Sequence, residues 1–374
     1  MPDPQIGYRS VYMRGGTSRA LIFHRDDLPP LGPEGSRAPW DAVFTAALGS
    51  PDRGMRQLDG MGGGISSLSK VAVVGPPSRS DADVDYTFAQ VGIDSPTVGY
   101  KGNCGNISSA IGPYAVDEGL VTADGEEAVV RIHNTNTGKI IRARFPLVGG
   151  KAAVRGDYVL QGVEGSGAAI RLDFLQPGGS VTGKIFPTGR LVDTLALENG
   201  DIPVTLVDVA NPLAVVEASA LGMRGNESAS EIEGDNSLME RLRDLRRRAA
   251  VAMGVAKDDE EARTTVANLP LVAIVSRVEE GAALRARMIS ADQPHRATPL
   301  TGAMALAAAS RIKGTLAEGL SRHGSADIVR LAHASGLIDL ACEVEDMGLQ
   351  SRVASVGVIR TARRLMEGRV FIPV

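Results

Sequence analysis

Residues 102–112 read Gly-Asn-Cys-Gly-Asn-Ile-Ser-Ser-Ala-Ile-Gly. A single cysteine, Cys104, stands in a tight Gly/Asn turn and runs straight into an apolar, helix-forming segment. A helix that begins there leaves its first backbone N–H groups without intrahelical acceptors, and its dipole favours negative charge at that end. The stretch is therefore either a buried cysteine in a glycine turn or a thiol beside an anion site, since a helix N-terminus also favours a thiolate. The pattern has an echo: Thr301-Gly302-Ala303 again punctuates a strand-rich segment just before an apolar helix, Met304 to Leu316. Two such halves, with their helix N-termini facing across a cleft, would hold a ligand with carboxylates at both ends.

The flanking sequence fits a sheet around each helix. Arg9 to Met13 and Ala20 to Phe23 read as strands joined by a polar glycine loop, Arg14 to Arg19. Val71 to Val74 reads as a buried strand, and Asp83 to Ile93 alternates as another. The helix expected over Ile107 to Leu120 carries Pro113, which should kink or shorten it. Short strands follow at Val129–His133, Ile140–Phe145, Tyr158–Gln161, Ala169–Phe174 and Ile185–Phe186. Pro187-Thr188-Gly189 reads as a hinge, after which strands resume at Val204–Val209 and Ala214–Glu217, with an amphipathic helix near Ser237–Met253. The expected architecture is α+β, with two pseudo-symmetric domains (1–186 and 187–374), each a strand-rich barrel around a central helix. The last strand is a candidate to return to the first domain.

Composition narrows the function. Over 374 residues, 40 Lys+Arg face 44 Asp+Glu, so no basic field exists for nucleic acid. Cys104 and Cys342 lie far apart, which is no disulfide framework and suits a reducing cytoplasm. No apolar run approaches the ~18 residues of a membrane span, so a cytoplasmic protein without membrane contact is expected. No His, Cys, Asp and Glu cluster has metal spacing, and no Gly-x-Gly-x-x-Gly opens a βαβ unit. Gly60 to Gly64 is no phosphate loop, because its lysine follows six residues later on a strand approach. Neither metal nor cofactor is expected. The Arg-rich helix near Leu238–Ala250 is either a homo-oligomer interface or free surface.

Several blocks together resemble the PrpF family of isomerases, which share the diaminopimelate-epimerase fold. They are Met13-Arg14-Gly15-Gly16-Thr17-Ser18, Gly62 to Lys70, Asp81 to Val91, Gly102 to Gly112, His133-Asn134-Thr135-Asn136-Thr137-Gly138-Lys139, Asp208-Val209-Ala210-Asn211-Pro212, Arg287 to Ala303, and Arg360 to Gly368. They span nearly the whole chain in order. The resemblance implies cofactor-free proton transfer within a small unsaturated di- or tricarboxylate, as in 2-methylaconitate isomerase, 3-methylitaconate delta-isomerase and 4-oxalomesaconate tautomerase. The blocks from His133, Asp208 and Arg360 are most similar to the methylitaconate branch. One departure is Ser18-Arg19-Ala20, where the family usually has Ser-Lys-Gly.

Allylic isomerisation needs a base, stabilisation of a dienolate, and an acid. Lys70 matches the family's catalytic lysine and Cys104 its active-site cysteine. A lysine among small residues at a cleft can be desolvated and driven toward the neutral amine that suits a base. Carboxylates would be held by the N–H groups of Gly105 and Asn106 and by the turn Thr301, Gly302 and Ala303. Thr17, Ser18, Ser66 and Ser69 offer hydroxyls from two other glycine loops. His295 matches a recurring family histidine and is a candidate for a distal carboxylate, and Arg287 is the candidate cation of the second domain. Racemases of this fold use two facing cysteines. Here Thr301 stands where the second is expected and Cys342 reads as core, which disfavours the rival enzyme reading, an amino-acid or hydroxyproline epimerase. A non-catalytic carboxylate-binding or dehydratase accessory protein is the rival from outside enzymology.

Overall fold

The computed structural model describes residues 5–198, 200–322 and 328–373. The helix Gly105–Asp117 is its first organising element. Gly105 to Val116 are all buried, and two polar side chains in that stretch bond locally. Ser108 Oγ donates to the Cys104 carbonyl at 3.0 Å and Ser109 Oγ to the Asn106 carbonyl at 2.7 Å. Buried hydroxyls are tolerated when they find such acceptors. Ile107, Ala110, Ile111, Tyr114 and Ala115 supply the apolar surface. The helix continues through Pro113, then ends at Asp117, short of the expected Leu120.

Strands wrap this helix in a fixed succession. Gln5–Gly15 pairs antiparallel with Ser18–His24, which lies parallel to Lys70–Gly75. Lys70–Gly75 is antiparallel to Val84–Val91, which runs parallel to Glu127–Asn134, itself antiparallel to Lys139–Val148. The second half repeats it: Gly200–Val209 antiparallel to Asn211–Glu217, then parallel to Leu271–Ser276, antiparallel to Leu284–Ser290, parallel to Ile328–His333, and antiparallel to Gly336–Glu345. In both halves the enclosed helix lies between the fourth and fifth strands, where a parallel pairing requires a crossover. The second helix, Leu300–Ala309, is buried throughout. These are two pseudo-symmetric strand-rich domains around central helices, as in the diaminopimelate-epimerase-like fold.

The halves share hydrogen-bonded strands. Arg352–Arg360 pairs with Gly336–Glu345 on one side and with Ile170–Leu175 of the first half on the other. The chain then turns at Thr361, and Ala362–Pro373 pairs along the whole of Gln5–Gly15.

Three local expectations change. Thr301, Gly302 and Ala303 are not a turn before the second helix; they form its first turn, because the helix starts at Leu300 after Pro299. It stops at Ala309, and Leu316 opens a separate short helix, Leu316–Leu320. Ile185–Phe186 is no strand: the Gly189 amide bonds back to the Phe186 carbonyl at 3.1 Å, and Pro187 has no N–H for a ladder.

Candidate active site

Asparagines hold the two helix N-termini together. The Asn103 amide donates to Asn211 Oδ1 at 2.7 Å, and Asn211 Nδ2 donates back to the Asn103 carbonyl at 2.8 Å. The same Nδ2 reaches Thr301 Oγ1 at 2.8 Å, so one side chain from the second half ties both helices. Asn134 Nδ2 supports Asn103 Oδ1 at 3.3 Å, and Asn136 Nδ2 holds the Tyr100 carbonyl at 2.6 Å. Gly105 makes the approach close enough: a Cβ there would lie 3.0 Å from Leu300 Cγ. The first bonded amides are Ser108 to the Cys104 carbonyl and Ala303 to the Pro299 carbonyl. The three amides before each, Gly105 to Ile107 and Leu300 to Gly302, have no intrahelical acceptor.

Lys70 is the first residue of its strand and stands opposite Gln90 in register. Gln90 Nε2 donates to the carbonyls of Ser66 (3.1 Å) and Ser69 (2.9 Å), which turns Oε1 toward Lys70 Nζ as its acceptor. The nitrogen also lies 5.1 Å from the centre of the Phe88 ring. Lys70 is 6% exposed and has no carboxylate partner among the described residues. Burial holds its pKa below the ordinary lysine value, with the charge at Cys104 opposing in part. Burial thus works toward the uncharged form, whose lone pair would be free for the cleft.

Lys70, Gln90, Cys104, Gly105, Asn106 and Ser18 face Asn211, Leu271, His295, Leu300 and Thr301 across a narrow cleft, partly open to solvent. The repeat sharpens its chemistry. The residue opening the second half's equivalent strand is Leu271, and the cap of its helix is Pro299. Lys70 and Cys104 are thus both on the first half. Cys342 lies in the core, its thiol pushed up to about 12 by burial.

His295 has a defined tautomer. Its Nδ1 accepts from the Ala297 amide at 3.0 Å, which leaves the proton on Nε2. Burial, then the neighbouring charges of Lys70 and His333, bring its pKa down to about 3. At neutral pH it is an uncharged N–H donor. Ser18 Oγ is buried in the cleft wall without a hydrogen-bond partner among the described residues.

Other expected residues lie elsewhere. Arg287 is outside the cleft: its guanidinium is spent on the carbonyls of Glu227, Asn226 and Ala286. Ser69 Oγ is buried structure, accepting from Gln57 Nε2 at 2.7 Å and donating to the Val91 carbonyl at 2.9 Å. Ser66 lines a neighbouring groove instead, its amide donating to Gln293 Oε1 at 3.0 Å. Gly302 packs toward Leu271 and Met288, and the Ala303 amide is already bonded to the Pro299 carbonyl. Thr17 borders a neighbouring recess instead of the Lys70 cleft. A wider groove beside the cleft, bounded by Met55, Asp94 and Gln293, is unsuited to an anion. Its Arg243 and Arg263 are paired with Glu240 and Glu260.

Gln90, Asn103 and Asn211 line the candidate cleft, and sequence reasoning did not single them out. The signal for Asn211 was present in Ala210-Asn211-Pro212. Ala210 adopts φ +61°, a left-handed conformation that makes a one-residue reversal between Val209 and Asn211 and aims Asn211 at the helices. Among the described residues no group of three or more His, Cys, Asp and Glu is placed to hold a metal, and no helix is long and apolar enough to cross a membrane.

Two strand-rich halves, each around a buried helix and with the helix N-termini tied face to face, are the diaminopimelate-epimerase-like class of fold. The chain belongs to the PrpF family, whose model, described as PrpF protein, matches residues 5–373. It is 38% identical to 3-methylitaconate isomerase of Eubacterium barkeri, over 98% of each chain. It is 34% identical to 2-methyl-aconitate isomerase of Shewanella oneidensis, over 99% of this chain and 98% of that one. The crystal structure of methylitaconate-delta-isomerase superposes with a TM-score of 0.75 at 38% identity, covering 99% of this chain and 97% of that one.

Proposed function

We propose that this chain catalyses cofactor-independent allylic isomerisation of a small unsaturated di- or tricarboxylate such as methylitaconate, 2-methylaconitate or 4-oxalomesaconate, with Lys70 and Cys104 as its proton-transfer groups. The observation that carries the reading is Lys70: a buried amine without a counter-charge, aimed by Gln90 into a cleft between two helix N-termini. A substrate carboxylate lies against the free amides at Gly105 and Asn106, where it also acidifies the adjacent carbon. Neutral Lys70 takes the allylic proton, and the charge spreads through the dienolate onto that carboxylate, where the amides and the helix dipole stabilise it. Cys104, at the helix cap, returns a proton at the other end of the allyl system. His295 Nε2–H and the Ser18 hydroxyl donate to a second carboxylate. A racemase mechanism wants a proton carrier on each half; Leu271 and Pro299 occupy the second half's positions.

The test is deuterium wash-in. In D2O the substrate exchanges an allylic proton with wild type, and Lys70→Ala abolishes the exchange while retaining carboxylate binding. Normal exchange in Lys70→Ala sinks the mechanism, and failure of every unsaturated acid to exchange in wild type leaves the chain a binding protein.

A further inference from the structure

The helix Asn236–Ala252 carries the arginine-rich stretch of the sequence, which the proposed function leaves unused. Three of its arginines meet acids near the surface: Arg243 pairs with Glu240, Arg247 with Asp259, and Arg248 with Asp244. Arg246 points inward. Its side chain is 2% exposed, and all three nitrogens of the guanidinium are engaged. Nε and Nη2 donate to the two carboxylate oxygens of Asp292 at 2.6 and 3.2 Å. Nη1 donates to the carbonyls of Ala262, Val266 and Leu269 at 3.0, 3.2 and 3.2 Å. A buried ion pair is weak ground for stability, because well-packed apolar residues do as well. What a planar fork adds is direction: it fixes several acceptors relative to one another.

Both sets of acceptors lead into the Lys70 cleft. Asp292 and Ala291, at φ +55° and +49°, form a two-residue reversal across which Ser290 pairs with Gln293. His295 follows, its amide on the Met288 carbonyl at 2.8 Å. Ser290 and His295 both line the cleft. The other stretch, 262–269, ends in Asn268 and Leu269, which line the cleft as well and run on into Leu271. Asn268 Nδ2 also crosses to the first half, donating to the Lys101 carbonyl at 3.2 Å, three residues before Cys104. One guanidinium outside the cleft lining therefore ties together two segments that supply much of its second-half wall.

We propose that Arg246, through Asp292 and the 262–269 carbonyls, positions the second-half wall of the cleft and with it the His295 Nε2–H that receives the substrate's second carboxylate. This rests on the proposed isomerisation for the ligand. Arg246 is a positioning residue, since it reaches the cleft through other residues. Lys70 and Cys104 are held by the first half, so the effect of disturbing Arg246 falls on binding more than on proton transfer.

Steady-state kinetics with whichever of 3-methylitaconate, 2-methylaconitate or 4-oxalomesaconate exchanges in D2O tests this, beside calorimetric titration with glutarate, an unreactive dicarboxylate. Arg246→Lys keeps the charge but puts a single ammonium where the fork held five acceptor atoms. It raises KM and weakens glutarate about threefold to tenfold, the range for one displaced hydrogen bond, and leaves kcat within about threefold. Asp292→Asn, at the partly exposed end of the pair, gives the same split and carries the test should Arg246→Lys not fold. A merely structural role lowers the folded fraction, which reduces kcat at unchanged KM. That result overturns the proposal, as do glutarate affinity and KM equal to wild type in the folded variants. Absence of exchange in wild type, with glutarate weakened in both variants, removes the isomerase reading and leaves the positioning role standing.

Discussion

Two buried histidines should make this protein acid-labile well above the pH at which most of its carboxylates protonate. His295 titrates at about 3 and His333 at about 4 in the folded chain, both depressed first by burial. An unfolded chain protonates histidine near about 6.5. Above that value both states hold neutral rings, so neither residue makes stability depend on pH. Below it the unfolded state takes up a proton that the native state refuses, and stability falls as pH drops from about 6.5 toward the folded values. Between about pH 7 and about pH 4.5 each ring removes about 2.5 kcal/mol by this linkage, or about 5 kcal/mol together. That is a large part of the ~5–15 kcal/mol of a typical domain. His295→Gln keeps a neutral N–H donor and removes one titration. Urea unfolding at a series of pH values, followed by the single tryptophan, Trp40, reads the outcome. The acid loss in His295→Gln should shrink by about 2.5 kcal/mol relative to wild type. A variant that loses as much as wild type over that range refutes the neutral, buried ring inferred for His295.

Asn211→Ala strips the shared partner from the Asn103 amide and carbonyl and from Thr301 Oγ1. It should lower the unfolding free energy by about 3 kcal/mol and raise KM more than it lowers kcat; an unchanged urea midpoint rules this out. Gly16→Ala asks a residue at φ +51° to carry a Cβ 2.3 Å from Asn106 Oδ1. A loss of about 2 kcal/mol or more is expected as Asn106 is pushed off its hydrogen bond with Arg360, and a melting temperature equal to wild type would contradict it.

Much of the architecture was legible because local chemistry and global fold agree. Cys104-Gly105-Asn106 starts a helix as a glycine turn before an apolar run should, and the second helix recurs where the Ala-rich run recurs. The misreadings have physical causes. Thr301 looked like a turn because Gly302 follows it, yet Pro299 had already fixed the helix start, and a glycine in the first turn is tolerated there. Arg287 looked like the anchoring cation because sequence shows charge and not direction. The strand points it at the carbonyls of the 226–227 loop. Ser69 was drawn from the right loop but faces Gln57. Gln90 and Asn211 were invisible as site residues because an uncharged amide on a strand has no sequence signature. What brings them to the candidate cleft is the register opposite Lys70 and the left-handed residue before Asn211.

The pairing of Ala362–Pro373 along Gln5–Gly15 bears on how the protein is assembled. The first barrel contains Lys70, Cys104 and their helix, yet one of its staves is Ala362–Pro373, more than three hundred residues away in sequence. That barrel cannot close by local folding. It waits, with Gln5–Gly15 unpaired on one side, until the whole second half has been threaded through Arg352–Arg360. Contacts of such sequence separation slow folding. An exposed strand edge in the waiting species is also a template for pairing between chains. A chain shortened before Ala362 should therefore aggregate instead of yielding an isolated, active first half.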